Sequence, residues 1–401
     1  MDLTQSTSHY KSKISPDTRT LATIDDNDVS FRDTETMGTT FIISFPRKPQ
    51  ELHWSPNSKF VACQTNNRIS VIDISSETVA FIINDVSIAG FGWCKDSRHI
   101  FTIAMFQMRM TLWTLGKGFP KIIEYPKYTK KGIEFSEDGK LLAVLVRKHA
   151  VDEIQIYDSF SWKLLTKFSP DSVSLSNIRF SPNSRFICTW ETCHQRKFTI
   201  FDVSGKLVHS EFLDQELGIK DLTWSKCGRF ICVTSFDDQI TLFNSLNWKP
   251  VFCEVVPLIM DDAEAVVYVE KYKITPEGTK HEFQLCETPF KICLDSKTRP
   301  DVFKAEFDVS NYLAYCKGNV IWIFDVQQQA FISALVFLNI VTSFDWNEGQ
   351  LVVATGSSTV YLWNTDGCEC VMTDEKVETV QWNGPNLLFT NSNSFSYGYR
   401  E

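Results

Sequence analysis

The chain of 401 residues carries 40 Lys and Arg against 49 Asp and Glu, a formal charge of −9, with 43% hydrophobic and 22% charged residues. That acidic balance argues against general nucleic-acid binding, which needs a positive field to replace phosphate counterions, and the apolar content excludes disorder over most of the length. The 31 Phe, 11 Trp and 11 Tyr outweigh 17 Gly and 14 Pro, and aromatic side chains of this kind favour pleated strands.

From the N-terminus, Met1-Asp2-Leu3-Thr4-Gln5-Ser6 shows no basic segment followed by an apolar run, so no secretory leader is expected. The longest mostly apolar stretch, Phe331 to Val341, is interrupted by Ser333 and Asn339 and is too short to cross a bilayer. The expected compartment is the cytoplasm or nucleus, with no membrane contact. Twelve cysteines are scattered, most of them inside apolar runs such as Phe186-Ile187-Cys188, where a thiol serves as a small buried hydrophobe. Two groupings, Cys188 with Cys193-His194 and Cys368 with Cys370, lack the paired clusters of a structural zinc site. No metal or cofactor is expected.

An internal repeat sets the fold. An apolar residue, a spacer and an aromatic precede a Ser-Pro-Asn-Ser-like turn in Leu52-His53-Trp54-Ser55-Pro56-Asn57-Ser58, and again in Ile178-Arg179-Phe180-Ser181-Pro182-Asn183-Ser184. Other copies centre on Cys94, Ser136 and Ser225, with weaker ones at Ser15, Asp308, Asn347 and Asn383. Most are followed by an alternating strand that ends in an aromatic and then Asp or Asn, as in Phe198-Thr199-Ile200-Phe201-Asp202 and Val360-Tyr361-Leu362-Trp363-Asn364. Those Asp and Asn residues read as turn residues that bond their own backbone, not as a carboxylate array. The turns recur every 36 to 45 residues, apart from one gap of 83. A period near forty, with period-two strands, is the signature of a four-stranded propeller blade.

The gap holds strand-like runs, Ala265-Val266-Val267-Tyr268-Val269 and Phe290-Lys291-Ile292-Cys293-Leu294, around the polar stretch Thr275 to Lys280. It reads as an extended outer strand pair with a mobile loop. The expectation is an all-β propeller over residues 1–401, one large ring of about nine blades with a loop-rich insertion at 250–300. Met1–Thr7 would supply a last strand. Seven blades with irregular extra strands are the alternative.

Several local strings, among them Ile123-Glu124-Tyr125-Pro126-Lys127, Trp162-Lys163-Leu164-Leu165, Thr189-Trp190-Glu191-Thr192-Cys193, Leu217-Gly218-Ile219-Lys220 and Asn247-Trp248-Lys249, together with Tyr361-Leu362-Trp363, resemble the WD repeat-containing protein 8 family. The resemblance implies a non-catalytic adaptor at centrosomes or spindle pole bodies. Such an adaptor binds a coiled-coil anchoring protein and helps tether microtubule minus ends, in fungi together with a minus-end-directed kinesin. On this reading microtubule contact is indirect.

The chemistry of the residues agrees with an adaptor. No phosphate-cradling loop or nucleophile elbow occurs, the seven His are dispersed, and Asp261-Asp262 with Glu264 lack the spacing of a calcium loop. Two features are candidate partner sites. One is the basic run Lys117, Lys121, Lys127, Lys130 and Lys131, which suits an acidic partner; the other is Leu217-Gly218-Ile219-Lys220. Their plain readings are a solvated loop and an inter-blade strand. A translation-factor-like propeller that touches ribosome or RNA is the alternative function; it needs a continuous basic face, of which the sequence shows only one short run.

Overall fold

The structure is a computed structural model. It describes all residues except 1, 4–6, 9–10, 117, 192–195, 214–216, 261–264, 276–277, 294–302, 385, 392–393 and 400–401. Among the described residues the regular secondary structure is all strand apart from a three-residue helical turn, Met105–Gln107. Two compact units are formed, one from residues 11–222 and 235–237, the other from 1–10, 223–234 and 238–401.

In the first unit, four-stranded antiparallel meanders follow one another along the chain. Glu51–Trp54, Phe60–Thr65, Arg68–Asp73 and Thr78–Asn84 form one of them. Because side chains alternate across a strand, a sheet covered on both faces needs apolar residues at odd and even positions. The strand Leu141–Lys148 shows this: Leu142, Val144 and Val146 pack with Ile103, Met110 and Leu112 of the preceding sheet. Its intervening residues Ala143 and Leu145 pack with Leu175, Ile178 and Ile187 of the following one. Consecutive sheets are therefore stacked through both faces. Cys63 lies in such a core, where burial pushes its thiol up to about 12.

Each repeated turn falls between the first and second strands of a sheet, and its hydrogen bonds explain its composition. Ser55 Oγ is donated to by the Phe60 N–H and donates to Asn57 Oδ1, which in turn accepts the Lys59 N–H. The fourth turn position turns left-handed, at φ 59° for Ser58, 58° for Ser97 and 59° for Ser184. Its hydroxyl reaches the turn of the preceding sheet. Asp17 N–H donates to Ser58 Oγ at 2.9 Å, Asn57 N–H to Ser97 Oγ at 3.0 Å and Asp138 N–H to Ser184 Oγ at 3.4 Å. The motif is thus a sheet-to-sheet fastener. The strand-end Asp and Asn residues are turn residues as expected: Asp158 accepts the N–H groups of Phe160 and Ser161, and Asn364 those of Asp366 and Gly367.

In the second unit, Phe303–Phe307, Tyr312–Lys317, Val320–Asp325 and Ala330–Val336 make a meander extended by the hairpin Val266–Thr275 and Gly278–Cys286, which joins Ala330–Val336 in parallel. The expected strand at 265–269 is present, but its partner is Gly278–Cys286 and not the expected Phe290–Leu294, of which Phe290–Lys291 pairs with Ile259–Met260. The expected loop is not present, because ladder pairing runs out to Thr275 and Gly278 and only positions 276–277, outside the described residues, lie between. Glu270, fully buried in this hairpin, accepts hydrogen bonds from Tyr361 Oη at 2.5 Å and the Leu338 N–H at 2.8 Å, and contacts His281 Nδ1 at 2.6 Å. Those bonds pin the insertion to its neighbours. Asp2–Leu3 and Thr7–Ser8 pair with Ser394–Tyr399, as expected for an N-terminal contribution to the last sheet.

Candidate interaction surface

An antiparallel meander has two ends. One holds the turns between strands one and two and between three and four. The other holds the middle turn and the connection to the next sheet. At the second end of the first unit several exposed apolar and basic side chains lie close in sequence to buried ion clusters.

The connection after Thr78–Asn84 begins with Asp85, whose carboxylate accepts Thr102 Oγ1 at 2.6 Å and Arg109 Nη2 at 2.6 Å. Trp113 Nε1 donates to the same Thr102 hydroxyl at 2.9 Å. Burial raises the Asp85 carboxyl and these bonds outweigh it, so its pKa falls below the ordinary value. This relay works in a sheet that has neither a Gly-His nor a Trp-Asp pair. It fixes Val86, 71% exposed, beside the middle turn Met105–Gln107, since Met105 N–H donates to Ser87 O. At that turn Phe106 is 89% exposed with φ 60°, and Met105 and Met108 are exposed on either side. Tyr125 N–H bonds Met108 O, Arg147 N–H bonds Tyr125 O, and Lys148 Nζ lies 5.9 Å above the Tyr125 ring. Tyr125 too is left-handed, at φ 55°. Left-handed backbone at a bulky aromatic costs of order 1–3 kcal/mol; Trp162 and Trp248 adopt it as well, in turns between third and fourth strands.

The basic run of the sequence does not survive as one surface. Lys117 lies outside the described residues. Lys121 opens the fourth strand, Lys121–Glu124, at the opposite end of its sheet from the connection that carries Lys127–Lys131. Lys127 is withdrawn altogether. Its side chain is 7% exposed and its ammonium contacts Asp152, itself 1% exposed, at 2.7 Å. It also donates to Leu175 O at 2.6 Å and Ser174 Oγ at 3.0 Å, while Arg147 approaches the same carboxylate at 3.4 Å. Desolvation lowers the Lys127 pKa despite Asp152. Lys127 is a structural anchor and cannot meet a partner. Lys130 and Lys131 stay exposed, Lys131 with its ammonium 4.5 Å over the Tyr128 ring.

The second candidate is also divided. Leu217 is 57% exposed, whereas Ile219 is buried as the first residue of the strand Ile219–Trp224. Gly218 supplies its carbonyl to the Phe236 N–H, and the Lys220 ammonium stands 6.0 Å from the Phe236 ring. Leu217 occupies the same kind of connection as Lys130 and Lys131, so both candidates contribute to the middle-turn end. The exposed Val86, Met105, Phe106 and Met108 carried no sequence signal. The Met105–Gln107 turn sits in the mostly apolar stretch Ile103–Met110, without the Gly or Asn that such a turn ordinarily uses. Cys368 and Cys370 are half-buried in one strand and Cys188 is buried; the thiols of Cys368 and Cys370 are pushed up by burial.

Stacked four-stranded meanders with a forty-residue repeat form an all-β fold of the WD-repeat propeller type. The comparisons with known proteins agree. The chain is 26% identical over 394 residues to WD repeat-containing protein WRAP73 of Mus musculus, covering 90% of this chain and 85% of that one. It is 21% identical to an uncharacterised WD repeat-containing protein of Schizosaccharomyces pombe, over 76% of this chain and 66% of the relative. Residues 63–217 match the family model of eukaryotic translation initiation factor eIF2A. A crystal structure of a eukaryotic initiation factor shares the fold, with a TM-score of 0.64 and 12% identity over 91% of this chain and 88% of that one.

Proposed function

We propose that this protein is a non-catalytic adaptor of the spindle pole or centrosome that binds a coiled-coil anchoring protein through the middle-turn end of its first unit. The observation that carries the binding mode is the strained, exposed Phe106 between Met105 and Met108, with Lys148 stacked on the adjacent Tyr125. Apolar anchors supply most interface energy, and flanking cations select a partner with acidic positions. The local strings shared with WD repeat-containing protein 8 support the location and the tethering of microtubule minus ends, with a minus-end-directed kinesin as a further partner. Microtubule contact is indirect on this reading, because a chain of charge −9 meets an acidic polymer.

The translation-factor reading is favoured by one specific observation, the eIF2A family match over residues 63–217. Co-sedimentation separates the two. The isolated chain is expected to stay in the supernatant with microtubules at physiological salt and to pellet with them once its coiled-coil partner is added. Tight binding of the isolated chain to microtubules, or co-migration with ribosomal subunits that is independent of such a partner, overturns the adaptor proposal.

A further inference from the structure

The first unit contains a cleft that neither the repeat chemistry nor the Phe106 surface uses. It has a volume of about 370 Å³ and is built from the connection Ser44–Arg47, the middle turn of the next sheet (Thr65, Asn66, Arg68) and the outer strand residues Val79 and Ile82. That volume lies within the range of sites that hold a small ligand or a few peptide side chains.

Its apolar wall has a definite origin. The ladder between Thr78–Asn84 and Arg68–Asp73 slips between Val79 and Phe81. In a regular strand residues 79 and 82 would face opposite sides; the extra residue of the bulge brings them to the same side. Val79 and Ile82 are both part-exposed there, facing Phe45 and Pro46. The frame is fixed by backbone bonds: Phe45 N–H to Asn27 O at 2.8 Å, Gln50 N–H to Gln64 O at 2.8 Å and Asp85 N–H to Asn67 O at 3.1 Å. Gln50 Nε2 bonds Asn66 Oδ1 at 3.4 Å across the mouth.

The charge is equally definite. Arg47 and Arg68 line the cleft, both are exposed, and neither guanidinium has a hydrogen bond or ion pair among the described residues. No carboxylate lines it. Two unpaired arginines over an apolar wall, on a protein of charge −9, are complementary to a carboxylate next to a large apolar side chain. A nucleic acid would meet the same two cations but would leave Val79 and Ile82 unmatched and face an acidic protein beyond them.

We infer that this cleft is a peptide-binding site for a short acidic-apolar segment of a partner protein, the apolar side chain seated on Val79 and Ile82 and the flanking carboxylates paired with Arg47 and Arg68. The cleft lies at the same middle-turn end of the first unit but shares no lining residue with the Phe106 turn, and it is tested without the spindle-pole partner, so the two readings can fail separately. The probe is a fluorescein-labelled peptide with a Glu-Phe-Glu-Leu core between Gly-Ser flanks, titrated with the full chain by fluorescence anisotropy. Saturable binding is expected. It should weaken about ten-fold or more, equivalent to about 1.4 kcal/mol, with Arg47→Glu combined with Arg68→Glu, with Ile82→Asp, and with Ala in place of the peptide's Phe. Arg98→Glu, a reversal in the first turn of the following sheet, at the end opposite the cleft, should leave it unchanged. All four positions are surface residues, and circular dichroism of each variant checks that the fold is retained. Absence of saturable binding, equal affinity for the Phe-to-Ala peptide, or preference of the same arginines for an oligouridine probe overturns the inference.

Discussion

At the scale of single residues, Lys127 shows how burial reverses the meaning of a charge. A lysine in a run of lysines reads as a solvated cation, but its partner Asp152 is supplied by a strand 25 positions away, and only the fold brings the two together. Removing one member of a buried pair strands the other, at about 3–5 kcal/mol. Lys127→Met is therefore expected to lower the urea midpoint strongly. Lys130→Glu with Lys131→Glu should change the unfolding free energy by no more than about 0.5–1 kcal/mol, while weakening capture of an acidic partner in pull-downs. The turn carboxylates give a second expectation. Asp138 is held at about 2 mainly by the Ser136 hydroxyl, and Asp33, Asp73, Asp158 and Asp202 lie below the usual value through bonds from, first, Thr36 N–H, Ser75 Oγ, Phe160 N–H and Ser204 Oγ. Protons bind the unfolded chain more readily at these sites, so their stabilisation is complete above about pH 4 and is lost as pH falls toward 2. Glu134 and Asp345, raised by burial, act in the opposite sense but are fewer. Denaturant midpoints measured from pH 6 to pH 2 should fall most steeply below pH 4.

Among the elements, the Ser-Pro-Asn-Ser turn was legible because its chemistry is local, and its cross-sheet role was hidden because it spans about one full repeat. Ser58 at φ 59° both pays left-handed strain and accepts the Asp17 N–H. Ser58→Ala keeps the strain and loses the bond, for about 1 kcal/mol. Ser58→Gly loses the bond but relieves the strain, so a change within about 0.5 kcal/mol is expected; Gly139 and Gly228 already occupy the equivalent place. Guanidinium titrations of the two variants decide it. The middle turn at Phe106 should behave differently, since no bond is lost there. Phe106→Gly is expected to raise thermal stability by about 1 kcal/mol while abolishing most partner capture. Unchanged capture would mean that the aromatic is not an anchor. The turn itself was illegible because a mostly apolar stretch, broken only by Gln107 and Arg109, carries no Gly or Asn to mark a hairpin, and the Val79 and Ile82 wall because a bulge leaves no trace in the hydrophobic pattern.

For the whole molecule, period and alternation read from the sequence were enough to define the fold class, since stacking through both faces imposes them on every sheet. Of the outer hairpin Val266–Cys286 only the first strand was legible, and its anchorage through Glu270 to Tyr361 was not, for that bond joins residues 91 positions apart. The candidate surface was half legible: Lys130, Lys131 and Leu217 belong to it, while its apolar centre came from loops that the repeat treats as spacers. The pairing of Thr7 with Phe395 carries a consequence for biosynthesis. At roughly 5–20 residues per second, the earliest strands emerge from the ribosome about 20–80 seconds before the strand they pair with exists. Throughout that interval the amino-terminal segment has no native partner, and a nascent chain halted short of Ser394 can never acquire one. Chaperone occupancy on translating ribosomes should accordingly persist until the final strand has been synthesised.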